Sequence, residues 1–127
     1  MPMNAAITRL AAVLLLAIAG PTIAETRLVM VEQDGCNYCA RWHDQIAPIY
    51  PRTDYAEAAP LRVMDIDDLP GDLALEGRVV FTPTFLLIVD GAEIARAEGY
   101  AGEELFWMHM ELLRRRLAAH QSSDPTQ

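Results

Sequence analysis

The stretch Leu28-Val29-Met30-Val31-Glu32-Gln33-Asp34-Gly35-Cys36-Asn37-Tyr38-Cys39-Ala40-Arg41-Trp42 decides the fold. Leu28 to Val31 is a continuous apolar run, the pattern of a strand buried on both faces. Asp34-Gly35 turns the chain. Cys36 to Ala47 then reads as a helix, with Trp42 and Ile46 recurring on one side until Pro48 and Pro51 end it. A pair of Cys thus stands where a buried strand hands over to a helix.

Working outward, Arg62 to Ile66 reads as a second strand, reached by a crossover long enough for parallel pairing. Asp67 to Gly77 is acidic and turn-rich, with at most a short helix near Leu73. Thr84 to Val89 is a third apolar strand. Asp90-Gly91 is a two-residue hairpin signal leading into an antiparallel strand over Glu93 to Glu98. A last helix spans Glu103 to Ala119, with acids in its first turn and Arg114-Arg115-Arg116 in its last, each sign matching the dipole. Leu105, Met108, Leu112 and Leu113 are assigned its inward face, with Phe106, Met110 and Leu117 beside it. His120 to Gln127 reads as a flexible polar tail. The order implies an α/β fold. Parallel strands with crossovers, followed by a hairpin, give a mixed sheet of about four strands flanked by helices.

The chain has 127 residues, 52% apolar, with 18 acids against 10 bases. That length suits one domain with a real core. A net charge of -8 excludes a nucleic-acid binder, which needs a basic surface for phosphates. Every base is Arg; without Lys there is no Schiff-base chemistry and no Walker-type loop. Leu10 to Ala19 is an apolar core preceded by Arg9 and broken by Gly20-Pro21, and Thr22-Ile23-Ala24 offers small residues for a peptidase. Residues 1–24 therefore read as a cleaved secretory signal, leaving a domain over 25–119. The apolar run is too short to span about 30 Å of hydrocarbon, so no stable membrane insertion of the mature chain is expected. Export brings an oxidising compartment in which paired Cys persist as a disulfide.

Cys36-Asn37-Tyr38-Cys39 has several readings. Haem attachment needs His after the second Cys, and position 40 is Ala. Structural zinc needs four ligands; Cys36, Cys39 and His43 supply three. A copper-handling dithiol stays open, since thiolates select Cu(I). A purely structural disulfide would close almost no loop and remove little unfolded-state entropy. The redox reading gains from position. Cys36 at a helix N-terminus has its thiolate stabilised by unpaired N–H groups and the dipole. Cys39, one turn further in, is placed to attack a mixed disulfide at Cys36. Trp42 and Trp107 are assigned to the core and His43 to the solvent face of the helix.

Phe81-Thr82-Pro83-Thr84-Phe85 puts Pro at the mouth of an apolar strand, where it is normally excluded. A cis Thr82–Pro83 bond accounts for it, exposing Thr82 main chain to an extended substrate. A trans Pro as first residue of the strand is the alternative. Together with the Cys pair, this resembles the thioredoxin superfamily over nearly all of residues 26–119.

The run from Glu32 to Trp42, with Ile46-Ala47-Pro48-Ile49-Tyr50-Pro51, Phe81 to Phe85, Glu98-Gly99-Tyr100-Ala101-Gly102-Glu103 and Phe106-Trp107, is similar to the periplasmic SoxS-type thioredoxins of bacterial sulfur-oxidation operons. The resemblance implies a periplasmic reductant, with no metal and no cofactor beyond a redox-active Cys36–Cys39 disulfide. Its substrate would be the Cys on a sulfur-carrier protein of the Sox system, and its electron donor a CcdA-type membrane thiol transporter. Cys36 would be the nucleophile and Cys39 the resolving thiol, with Gly35, Asn37, Tyr38, Thr82 and Pro83 shaping the substrate groove. A general periplasmic disulfide reductase is the alternative within the class. A glutaredoxin-like enzyme is another, suggested by Tyr38, although Asn37 replaces Pro and no base flanks the motif. A Cu- or Zn-binding module is the alternative outside the class.

Two departures from ordinary thioredoxins stand out. Gly35 replaces Trp, and Met30 stands where those proteins carry a buried acid, so no proton relay runs through that position. Glu32 and Asp34 are the nearest acids. Their charge disfavours the Cys36 thiolate and would keep the dithiol reducing.

Overall fold

The computed structural model describes residues 24–125. The proposed signal segment lies outside the described residues except for Ala24, which packs partly against the core. Two apolar stretches form the centre of the molecule: β1 (Thr26–Glu32) and β3 (Thr84–Val89). They lie side by side, β1 with four successive buried residues and β3 buried throughout. The outer strands, β2 (Leu61–Asp65) and β4 (Ala92–Glu98), alternate or are largely exposed, which suits edges. The sheet order is β2-β1-β3-β4.

β1 and β2 pair in parallel, as the crossover length predicts. That crossover holds α1 (Asn37–Gln45), a 3-10 turn at Tyr50–Arg52 and a short α2 (Asp54–Ala58), which Thr53 caps by accepting the Ala56 amide. β3 runs antiparallel to β1, where the sequence reading had grouped it with the parallel strands. The reason lies in the segment between β2 and β3. It leaves the sheet with a 3-10 turn at Ile66–Asp68 and bridges Ala74 to Ala92 at the far end. It then returns to start β3 near where β2 ended. No helix forms near Leu73; a turn at Gly71 and Asp72 precedes it, closed by the Leu73 amide on the Pro70 carbonyl. Asp90-Gly91 makes the hairpin to β4 with φ of 49° and 80°, the paired positive values that this two-residue turn requires.

Side chains of the sheet point to two clusters. Leu28, Met30, Phe85 and Leu87 meet Cys39, Trp42 and Ile46 of α1 on one face, together with α3 (Glu103–Ser123). Val29, Val31, Leu86 and Ile88 meet Met64 and Val79 on the other, with Ile66, Leu69, Leu73 and Leu75 against them. α3 buries Phe106, Met110, Leu113 and Leu117. Leu105, Met108 and Leu112, expected to face inward, are exposed. Both sets have helical spacing, and the edge-to-face packing of Phe106 against Phe85 and Trp42 fixes which one turns in. α3 also continues through Ser123, past the tail boundary read at His120; Ser122 Oγ bonds the Ala118 carbonyl and Ser123 Oγ the His120 carbonyl.

Candidate active site

Cys36 is the N-cap of α1, in extended conformation with φ of -78° and ψ of 101°. It takes that place because Gly35 adopts φ of 75°, a value strained for any residue with a Cβ, so the turn itself selects Gly over Trp. The Cys36 sulfur accepts the Cys39 amide at 3.1 Å, and the two residues form a disulfide. Cys36 is partly exposed, while Cys39 is only 3% exposed and belongs to the core cluster. The first turn of α1 carries no acid, so its N–H groups and dipole act on the Cys36 sulfur unopposed from within the helix.

Register brings the second motif to the same end of the sheet. Thr84 pairs with Val31, so Pro83 abuts the end of β1 from which the Cys loop departs. The Thr82–Pro83 peptide is cis, Pro83 is buried, and its carbonyl accepts the Gly99 amide at 2.7 Å. Thr84 Oγ1 donates to the Phe81 carbonyl at 2.7 Å and ties the approach to the strand. Among the described residues, no hydrogen bond is made by the Thr82 main chain.

A groove of about 530 Å³ opens here, lined in part by Tyr38, Arg41, Phe81, Thr82, Tyr100 and His109. Of the residues expected to shape it, Tyr38 and Thr82 line the groove, while Gly35, Asn37 and the buried Pro83 do not. Tyr38 and Phe81 are 57% and 58% exposed, large apolar surfaces on an open groove. Arg41, Tyr100 and His109 were not singled out from the sequence as groove residues. Arg41 is exposed on α1 and His109 half-buried on α3, and their spacing to the Cys pair says nothing of a shared cleft. Tyr100 Oη donates to Gln45 Oε1 at 2.6 Å, and the Arg41 guanidinium sits 6.0 Å from its ring centroid. Burial, with Glu103 adding to it and Arg41 opposing, pushes the Tyr100 phenol up.

The two acids named as tuning residues differ. Asp34 is exposed in the turn. Glu32 sits at the end of β1 on the same sheet face as Met30, and its Oε2 pairs with His43 Nε2 at 2.5 Å. His43, expected to face solvent, is only part-exposed and has Trp42 at its ring edge. Trp42 is fully buried against Phe85 and Phe106; Trp107 is partly buried and stacks on Tyr55. Among the described residues, no three His, Cys, Asp or Glu side chains converge as a metal ion requires.

Two sulfurs one helical turn apart, one reachable and one buried behind it, exchange disulfides with a partner and close on each other. The protein is a thiol–disulfide oxidoreductase of the thioredoxin type. No protein-family model and no curated protein matches the chain. Among solved structures it is similar to the reduced periplasmic thioredoxin SoxS from Paracoccus pantotrophus, at 48% identity over 73% of this chain and 99% of that one, with a TM-score of 0.70. The chain belongs to this family of periplasmic thioredoxins, and its location is periplasmic. Among the described residues, no helix is long and apolar enough to cross a membrane.

Proposed function

We propose that the protein is a periplasmic reductant for the Cys of a sulfur-carrier protein of the Sox system, reduced in turn by a CcdA-type membrane transporter. Residues 1–24 direct its export and are removed. Cys36 is the nucleophile and Cys39 the resolving thiol. Tyr38 and Thr82 contact the substrate segment, with the buried Pro83 positioning Thr82 from beneath and Gly35 and Asn37 shaping the loop that carries Cys36. Glu32 and Asp34 disfavour the Cys36 thiolate and keep the dithiol reducing.

The observation that carries this reading is the part-exposed Cys36 at the N-cap, beside a groove whose Thr82 main chain is unpaired among the described residues. An extended segment holding an oxidised Cys pairs with such an edge. Similarity to a SoxS thioredoxin supports the choice of substrate. The test is to express Cys39→Ser in the native cell and identify what it traps as a mixed disulfide. The sulfur carrier as principal adduct is the expected result. A broad spectrum of adducts contradicts it and indicates a general periplasmic reductase.

A further inference from the structure

Closing the disulfide requires Cys39 to lose a proton, yet its sulfur lies in the apolar cluster with Met30, Trp42 and Phe85. None of these accepts a proton. An acid–base pair, Glu32 with His43, lies on this side of the sheet. Side chains alternate across a strand, so Glu32 shares the sheet face of Met30 and Leu28, the face covered by α1. On α1, His43 follows Cys39 by four residues and so shares its face. A helical side chain leans toward the N-terminus, over the turn before its own, which here is the turn of Cys39.

An ionised Glu32 carboxylate only accepts, so His43 Nε2 donates to it and Nδ1 is the accepting atom of the ring. Both side chains are about one-third exposed, at 39% and 32%, so water reaches the pair. Trp42, at 5.3 Å and nearly perpendicular, limits rotation of the imidazole. Other charged groups nearby are Asp34 in the turn, Asp44 on α1 and Asp65. Asp65 is the cross-strand partner of Glu32, and its carboxylate is occupied by the Asp67 amide.

We infer that His43, oriented by Glu32, takes the proton of Cys39 through water when the mixed disulfide is resolved. The inference rests on the dithiol reading above. In the first step the Cys36 thiolate attacks the substrate disulfide, one sulfur leaves as thiolate, and a Cys36–substrate disulfide forms. In the second, the Cys39 proton passes to His43 Nδ1 and the Cys39 thiolate attacks Cys36 Sγ. The Cys36–Cys39 bond forms, and the second substrate thiolate leaves and is protonated from His43. Two electrons have moved from the dithiol to the substrate.

The experiment is stopped-flow reduction of a chromogenic aromatic disulfide by the reduced protein, following both steps across pH, with His43→Ala and Glu32→Gln. Resolution in His43→Ala is expected to slow at least about tenfold near pH 7, within the range of general-base effects. Added imidazole should restore it, as should raising the pH, which ionises the thiol without a base. In His43→Ala the first step should keep its rate, and Glu32→Gln should show a smaller loss of resolution. Unchanged resolution in His43→Ala overturns the inference, as does a slow step that imidazole and high pH both leave slow. Failure of Cys39→Ser to accumulate the mixed disulfide at all contradicts the dithiol reading itself.

Discussion

Cys36 Sγ accepts the amide of Cys39 at 3.1 Å, so the reachable sulfur also caps the helix that buries its partner. Reactivity and local stability therefore meet in one atom. Cys36→Ser keeps an acceptor at the cap while removing the thiol, and Cys36→Ala removes both. Both variants should be inactive, with Cys36→Ala less stable than Cys36→Ser by about 1 kcal/mol in urea unfolding. Equal stability would mean that the sulfur contact contributes nothing to the helix.

Glu93 supplies a pH dependence away from the site. Burial by itself raises its carboxyl, but hydrogen bonds from Arg96 and from the Glu76 amide, with the Arg96 charge, outweigh this and hold it below the usual range. Arg96 passes the restraint on, donating to the Gly77 and Arg78 carbonyls. A depressed folded-state value means that the stabilisation is present above the ordinary Glu range of about 4.3 and is lost as pH falls through the folded value. Unfolding at a series of pH values should show a steeper acid loss for the parent than for Glu93→Gln. Near neutrality the variant should be weaker by about 2 kcal/mol. Parallel curves would contradict this.

The proposed tuning by the acids flanking the Cys loop fixes a sign for the reduction potential. Negative charge near Cys36 destabilises its thiolate, hence the reduced form, and lowers the potential. Asp34 is the exposed member, and among the described residues no base pairs with it. Redox titration of Asp34→Asn against glutathione should give a potential raised by up to about 30 mV, equivalent to about 1.4 kcal/mol. An unchanged or lower value removes Asp34 from the account.

Tyr38 and Phe81 offer apolar surface to a partner while contributing little to the core. Their replacement by Ala should change folding stability by less than about 0.5 kcal/mol. Reduction of a protein disulfide should show a raised KM with kcat nearly kept, and reduction of a small disulfide should be unaffected. A matched fall in the small-molecule rate would assign these rings to the chemistry instead.

Local pattern carried much of this architecture. Uninterrupted apolar runs identified the two central strands, Asp90-Gly91 the hairpin, and the Cys pair its own place at the strand-to-helix turn. Strand direction was not legible, because alternation and hydrophobicity are the same in either sense; the return path through Ala74 decides it. The buried face of α3 was ambiguous because Leu105-Met108-Leu112 and Phe106-Met110-Leu113-Leu117 both repeat helically. Only packing against Phe85 and Trp42 separates them. The pairing of Glu32 with His43 joins residues on two elements across the Cys loop, and no periodic pattern announces such a contact.

The most direct test of the central claim is to count leaving thiols as reduced protein reacts with a chromogenic disulfide, in the parent and both Cys variants. The parent should release both halves of the reagent and finish with the Cys36–Cys39 disulfide. Cys39→Ser should release one half and retain the other on Cys36, and Cys36→Ser should show no fast phase. A fast phase surviving in Cys36→Ser, or both halves released by Cys39→Ser, would contradict the account.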